Sequence, residues 1–127
     1  MHWEQKVQYA TKTDVGMRRK NNQDSLVVQT LAEQETWEQK GHLFVVADGM
    51  GGHAVGELAS KIAVDTIPLT FLKSRAPDMA GALIESIEHA NAAIYRKGSE
   101  NLDFKRMGTT CVVLALGPCG ASIAHVG

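Results

Sequence analysis

The chain has 127 residues, is 44% hydrophobic and 21% charged, and carries a formal net charge of −1 at pH 7, which describes one globular domain at most and excludes a disordered or polycationic chain. With charge this close to balanced, no nucleic acid is expected as partner, and two cysteines at unpatterned spacing, Cys111 and Cys119, point to neither a disulfide framework nor a zinc site but to a reducing cytoplasm. MHWEQKVQY has no apolar core of signal-peptide length and no run reaches the roughly 18 apolar residues of a membrane span, so no membrane partner is expected either.

In chain order, Val7–Thr11 reads as a short strand. Thr13–Leu26, TDVGMRRKNNQDSL, is a turn-rich loop whose cations Arg18, Arg19 and Lys20 would in most chains be a solvated face. It ends in Gln23 and Asp24, ahead of a strand over Ser25–Leu31. His42–Ala47 is an apolar run that reads as a strand buried on both faces. It delivers Asp48 at its end into Gly49, Gly51 and Gly52, glycines able to take positive φ, before a helix opens near Gly56. That helix buries Leu58, Ala59, Ile62 and Ala63, and Pro68 is expected to end or kink it. A second helix from about Asp78 to Lys97 keeps Ala80, Leu83, Ile84, Ile87, Ala90 and Ile94 on one 3.6-residue face. Strands follow at Thr109–Leu116 and Ala121–Val126, joined by GPCG (Gly117–Gly120) as a hairpin. The whole reads as an α/β layered fold without repeats.

The chemistry concentrates at Asp48. Gly49, Gly51 and Ala54 fit the dinucleotide pattern GxGxxG/A after a strand and before a helix, but no second parallel strand with an acidic end follows, and Asp48 would face a pyrophosphate with like charge. A cation site is the better reading. Hard cations such as Mg²⁺ or Mn²⁺ take carboxylate, carbonyl and water oxygens, and Asp48 with its neighbouring glycine carbonyl supplies two of these. If the strand after Asp24 lies beside the one before Asp48, then Gln23, Asp24 and Asp48 converge at one sheet end with Arg19 above them. A metal carboxylate beside an arginine suits a phosphate ester, because guanidinium binds phosphate oxygens in a fork. The plainer readings are a helix cap for Asp48, turn stabilisation for His53, structural or surface positions for His89 and His125, and packing for Trp3 and Trp37.

Four segments, TDVGMRRKNNQDS, FVVADGMGGHAVGELAS, MGTTCVVLAL and SIAHVG, carry a resemblance over nearly the whole chain. In their order and spacing the chain resembles the N-terminal part of a bacterial metal-dependent serine/threonine protein phosphatase of the 2C family. The resemblance implies two stacked antiparallel β-sheets flanked by helices, with two or more Mn²⁺ or Mg²⁺ ions at one edge. It implies that Asp48 bridges two metals, that the Gly49 carbonyl is a second ligand, that Asp24 orients metal-bound water and that Arg19 grips the substrate phosphate. Gln23 stands where many members carry Glu, and its amide oxygen can ligate or hold a metal water without bringing charge. Met50 stands where many eukaryotic members place a histidine proposed as general acid, so that role is not carried over.

The function so implied is hydrolysis of phosphoserine and phosphothreonine in the protein substrates of Ser/Thr kinases by metal-activated water, with no cysteine nucleophile. The family continues SIAHVG into a GDSR turn and further metal-binding aspartates, so residues 1–127 are expected to be a truncated N-terminal portion of one domain. Its exposed edge at Ser122–Gly127 is expected to favour self-association. The alternative function is a catalytically incomplete fragment that binds metal or phosphoprotein without turnover.

Overall fold

A computed structural model of the chain describes residues 7–52, 55–104 and 106–127. The central strand, β2 (His42–Met50), pairs antiparallel with β1 (Asp24–Gln29) on one side and with β4 (Cys111–Gly117) on the other. The short β3 (Gly108–Thr109) extends the second pairing, and β4 turns into the edge strand β5 (Gly120–Val126) through the expected hairpin, with Gly117 opposite Gly120. Among the described residues every pairing is antiparallel, and this removes the dinucleotide-binding reading, which needs a parallel unit.

Two long helices cover one face of the sheet. α2 (Val55–Lys73) and α3 (Met79–Ser99) set Ala63, Ile67, Phe71, Leu83 and Ala90 against Leu43, Val45, Ala47, Val113 and Ala115, and all of these are buried. Ser60 of α2 is fully buried and shares a 2.9 Å hydroxyl hydrogen bond with Ser25 of β1, tying the helix layer to that strand. α2 runs unbroken through Pro68, five residues beyond the expected stop. The proline forfeits one helical hydrogen bond, and burial of Ile67, Pro68 and Phe71 offsets that loss. Asp78 caps α3 by accepting the Gly81 N–H at 2.7 Å. The buried stripe of α3 is Ala82, Leu83, Ser86 and Ala90. It is rotated from the expected one: Ala80 is exposed and Ile84 is 57% exposed, while Ser86 accepts burial because its hydroxyl bonds the Ala82 carbonyl at 2.7 Å.

Four further differences from the sequence reading have local causes. Residues 7–11 form no strand, because no sheet edge takes up their backbone; Tyr9 instead meets Phe44 edge-on, ring centroids 6.0 Å apart. A helix absent from the sequence reading, α1 (Gln34–Lys40), precedes β2. Its one apolar residue, Trp37, is completely buried, and Gly41 ends it at φ 83° with the Gly41 N–H on the Trp37 carbonyl. β1 starts at Asp24 and stops at Gln29, and β2 is buried on one face only. Phe44, Val46 and Asp48 lie on the face away from the helices, with Val46 57% exposed. Among the described residues one sheet is present, its outer face exposes Val46, Val112 and Ile123, and no helix is long and apolar enough to cross a membrane.

Two outcomes test this packing. Phe71→Ala removes a fully buried ring and should lower unfolding free energy by about 3–5 kcal/mol in urea titrations. Cys111 is buried and its thiol is pushed up to about 11 by desolvation, whereas Cys119 is exposed. Thiol labelling of the native chain at pH 8 should therefore show one fast-reacting group, absent in Cys119→Ser.

Candidate functional site

The β1–β2 register places Asp24 directly opposite Asp48 at the end of the pairing. Paired residues share a sheet face, so both carboxylates stand on the side away from the helices, and both are exposed. Partial desolvation, and then the facing Asp48 carboxylate that it hydrogen-bonds, hold the Asp24 carboxyl above its usual range, while the nearby Arg19 guanidinium pulls it back down. Two facing carboxylates offer the oxygen ligands that a hard cation takes. Arg19 is exposed and lines a shallow cleft with Lys20, Asn21 and Gln23.

Asp48 is not the last residue of its strand, as the sequence reading had it. β2 continues through Gly49 and Met50 because Thr109 and Gly108 extend the ladder on that side. The backbone of Asp48 is held by Thr110: the Asp48 carbonyl accepts the Thr110 N–H at 2.9 Å, and the Thr110 hydroxyl lies 3.3 Å from both the Asp48 N–H and the Asp48 carbonyl. A single hydroxyl accepts from the first and donates to the second. Sequence reasoning gave Thr110 no role, although MGTTC was among the segments that carried the resemblance.

Glycine is required here mainly for room. A Cβ on Gly49 would sit 1.8 Å from the Gly56 carbonyl oxygen, and one on Gly56 would sit 2.8 Å from the Met50 nitrogen. The strand end and the start of α2 therefore touch backbone to backbone. Of Gly49, Gly51 and Gly52, Gly51 alone takes positive φ, at 143°. Gln23 closes the arrangement: its carbonyl accepts the Gly49 N–H at 3.0 Å, and its Nε2 donates to the Gly51 carbonyl at 3.1 Å. His53 and Ala54 lie outside the described residues.

The donor set fits a hard divalent cation in kind, since two facing, exposed carboxylates lie beside a glycine-rich backbone segment. It is a partial set. Among the described residues no three of His, Cys, Asp and Glu converge on one point; Glu57 and Asp65 are exposed on α2, and Asp78 is spent as a helix cap. Met50 is 51% exposed, and His89 and His125 are exposed on α3 and β5.

The arrangement is an antiparallel sheet covered by helices on one face, with facing carboxylates on β1 and β2 and an arginine close by. The chain belongs to the protein phosphatase 2C family, whose pattern it matches over residues 17–127. It is 35% identical over 125 residues to a putative protein phosphatase 2C-type of Streptococcus pyogenes, covering 95% of this chain and 48% of that one. Among solved structures, the serine/threonine phosphatase PstP/Ppp of Mycobacterium tuberculosis superposes with a TM-score of 0.77 at 29% identity, over 94% of this chain and 46% of that one. The catalytic domain of PstP in complex with two manganese ions gives a TM-score of 0.75 at 29% identity, over 94% of this chain and 47% of that chain. The chain thus spans about half the length of these proteins.

Removing the Thr110 hydroxyl tests how Asp48 is held. Thr110→Val should lower stability by about 1 kcal/mol in urea unfolding, whereas Thr110→Ser, which keeps the hydroxyl, should match the native chain.

Proposed function

We propose that this chain forms the metal-carboxylate half of a protein serine/threonine phosphatase that hydrolyses phosphoserine and phosphothreonine, working on the products of Ser/Thr kinases in the cytoplasm. The observation that carries the reading is the Asp24–Asp48 pair with Arg19 beside it. Spontaneous hydrolysis of phosphate monoesters is so slow that catalysis must accelerate it by up to about 10²¹-fold. Mn²⁺ or Mg²⁺, held by Asp48, the Gly49 carbonyl and Asp24, supplies the Lewis acidity for that task when bound.

The chain's own residues do the rest. Asp24 accepts a hydrogen bond from the attacking water and orients it. Arg19 forks onto the phosphate oxygens and places the ester against the carboxylate pair. Thr110 keeps the Asp48 backbone from shifting as the side chain takes up charge.

The outer face of the sheet supports the view that residues 1–127 form one portion of a larger phosphatase domain. Val46, Val112 and Ile123 are 57%, 51% and 70% exposed there, forming the kind of apolar surface a second stacked sheet covers.

The test compares the chain with Asp48→Asn in Mn²⁺ binding, followed by electron paramagnetic resonance, and in hydrolysis of p-nitrophenyl phosphate and a phosphothreonine peptide. Binding should weaken at least about tenfold in the variant, and any Mn²⁺-dependent turnover should vanish with it. Equal Mn²⁺ binding by both chains would overturn the assignment of Asp48. Binding lost in the variant without turnover in either chain would establish a metal site and assign binding alone to these residues.

A further inference from the structure

Gln23 meets the glycine segment with its backbone and its side chain together. Its carbonyl oxygen accepts the Gly49 N–H at 3.0 Å, and its Nε2 donates to the Gly51 carbonyl at 3.1 Å. The side-chain amide also lies close to α2's first turn: a Cβ on Gly56 would sit 2.9 Å from Gln23 Cδ and Nε2. One residue therefore touches Gly49, Gly51 and Gly56, the three points that define how the chain passes from β2 into α2.

We propose that Gln23 is a positioning residue, which holds the backbone from Gly49 to Gly51 in the conformation that presents Asp48 and the Gly49 carbonyl to a divalent cation, and that it is not itself a ligand. The proposal rests on the reading of Asp48 and Gly49 as metal-binding. Its chemical basis is the polarity of one contact. The Gly51 carbonyl is an acceptor and needs a donor; the glutamine amide supplies N–H, whereas a glutamate of the same length offers only acceptor oxygens and would set a negative charge against the carbonyl. Glycine backbone is also the softest in the chain, so a site built from the Asp48–Gly49 peptide loses cation affinity to disorder unless something outside the segment fixes it. Gln23 sits directly before Asp24 in sequence, so one short stretch of chain contributes a carboxylate and restrains the backbone bearing the other.

The two roles predict opposite responses to one substitution. If residue 23 were a ligand, Gln23→Glu would add charge to the site and tighten Mn²⁺ binding. As a positioning residue it should do the reverse: groups that orient metal ligands typically contribute roughly 10–100-fold in affinity, so Gln23→Glu should weaken Mn²⁺ binding by at least about tenfold. Electron paramagnetic resonance titration of the chain reads this directly.

Amide hydrogen exchange in the absence of metal supplies a second readout, with Gln23→Met removing the donor at similar length. The Gly49 and Gly56 amides should exchange several-fold faster while the amides of α3 keep their native rates. Tighter Mn²⁺ binding in Gln23→Glu overturns the proposal, and so does unchanged exchange at Gly49 and Gly56, or an equal acceleration across α3 that marks general loss of stability. If the native chain binds no Mn²⁺, the metal reading of Asp48 fails, and the exchange measurement still decides whether Gln23 holds the glycine segment.

Discussion

The pairing of β1 with β2, Asp24 against Asp48, is the constraint on which the rest of the structure depends. Like charges directly opposite one another weaken a strand pair, so the register persists for another reason. Sliding β2 by one residue would turn Leu43, Val45 and Ala47 away from the helices and bring Asp48 under them. Each buried aliphatic side chain contributes about 1.5–3 kcal/mol, and several act together, so burial on one face dictates a carboxylate pair on the other. The site is in this sense a by-product of the core, held in place by residues that never touch it.

The second constraint is close backbone approach. β2 reaches its last residues just as α2 begins, and the two meet at Gly49 and Gly56 with no room for a side chain on either. A similar economy of space closes α1, where a Cβ on Gly41 would come within 2.9 Å of the Leu116 carbonyl oxygen. Thr110 and Gln23 complete the polar accounting of this crowded end, each satisfying backbone groups of the Asp48–Gly51 stretch. The backbone of Asp48, Gly49 and Gly51 is thereby held from outside its own segment, the kind of rigidity that a site for charge stabilisation requires.

Much of the fold was legible before any coordinates. The hairpin at GPCG, the apolar run before Asp48 and the 21-residue α3 all carry strong local signals: turn residues, a continuous apolar stretch, and a capped 3.6-residue period. The misreadings have equally specific causes. α1 escaped because a seven-residue helix with Trp37 as its one apolar side chain has no periodicity to detect. Pro68 read as a stop because its missing N–H is a local property, whereas the burial that carries α2 past it is not. The stripe of α3 was misplaced because Ile84 is apolar yet faces out and Ser86 is polar yet buried, a choice made by the Ala82 carbonyl that accepts its hydroxyl.

The sequence by itself determined the residue types that make the chemistry possible: the carboxylates Asp24 and Asp48, the arginine before them and the glycines after, in a spacing that marks the protein phosphatase 2C family. It determined these because they are local, written in a few adjacent positions. Only the tertiary structure decided that the two carboxylates face each other, that β2 continues beyond Asp48, that Gly49 is needed for space and Gly51 for its φ, and that Thr110 and Gln23 hold the backbone between them. Those relations join residues far apart in the chain, and they arise only when burial of one sheet face selects a single register among those that local propensity allows.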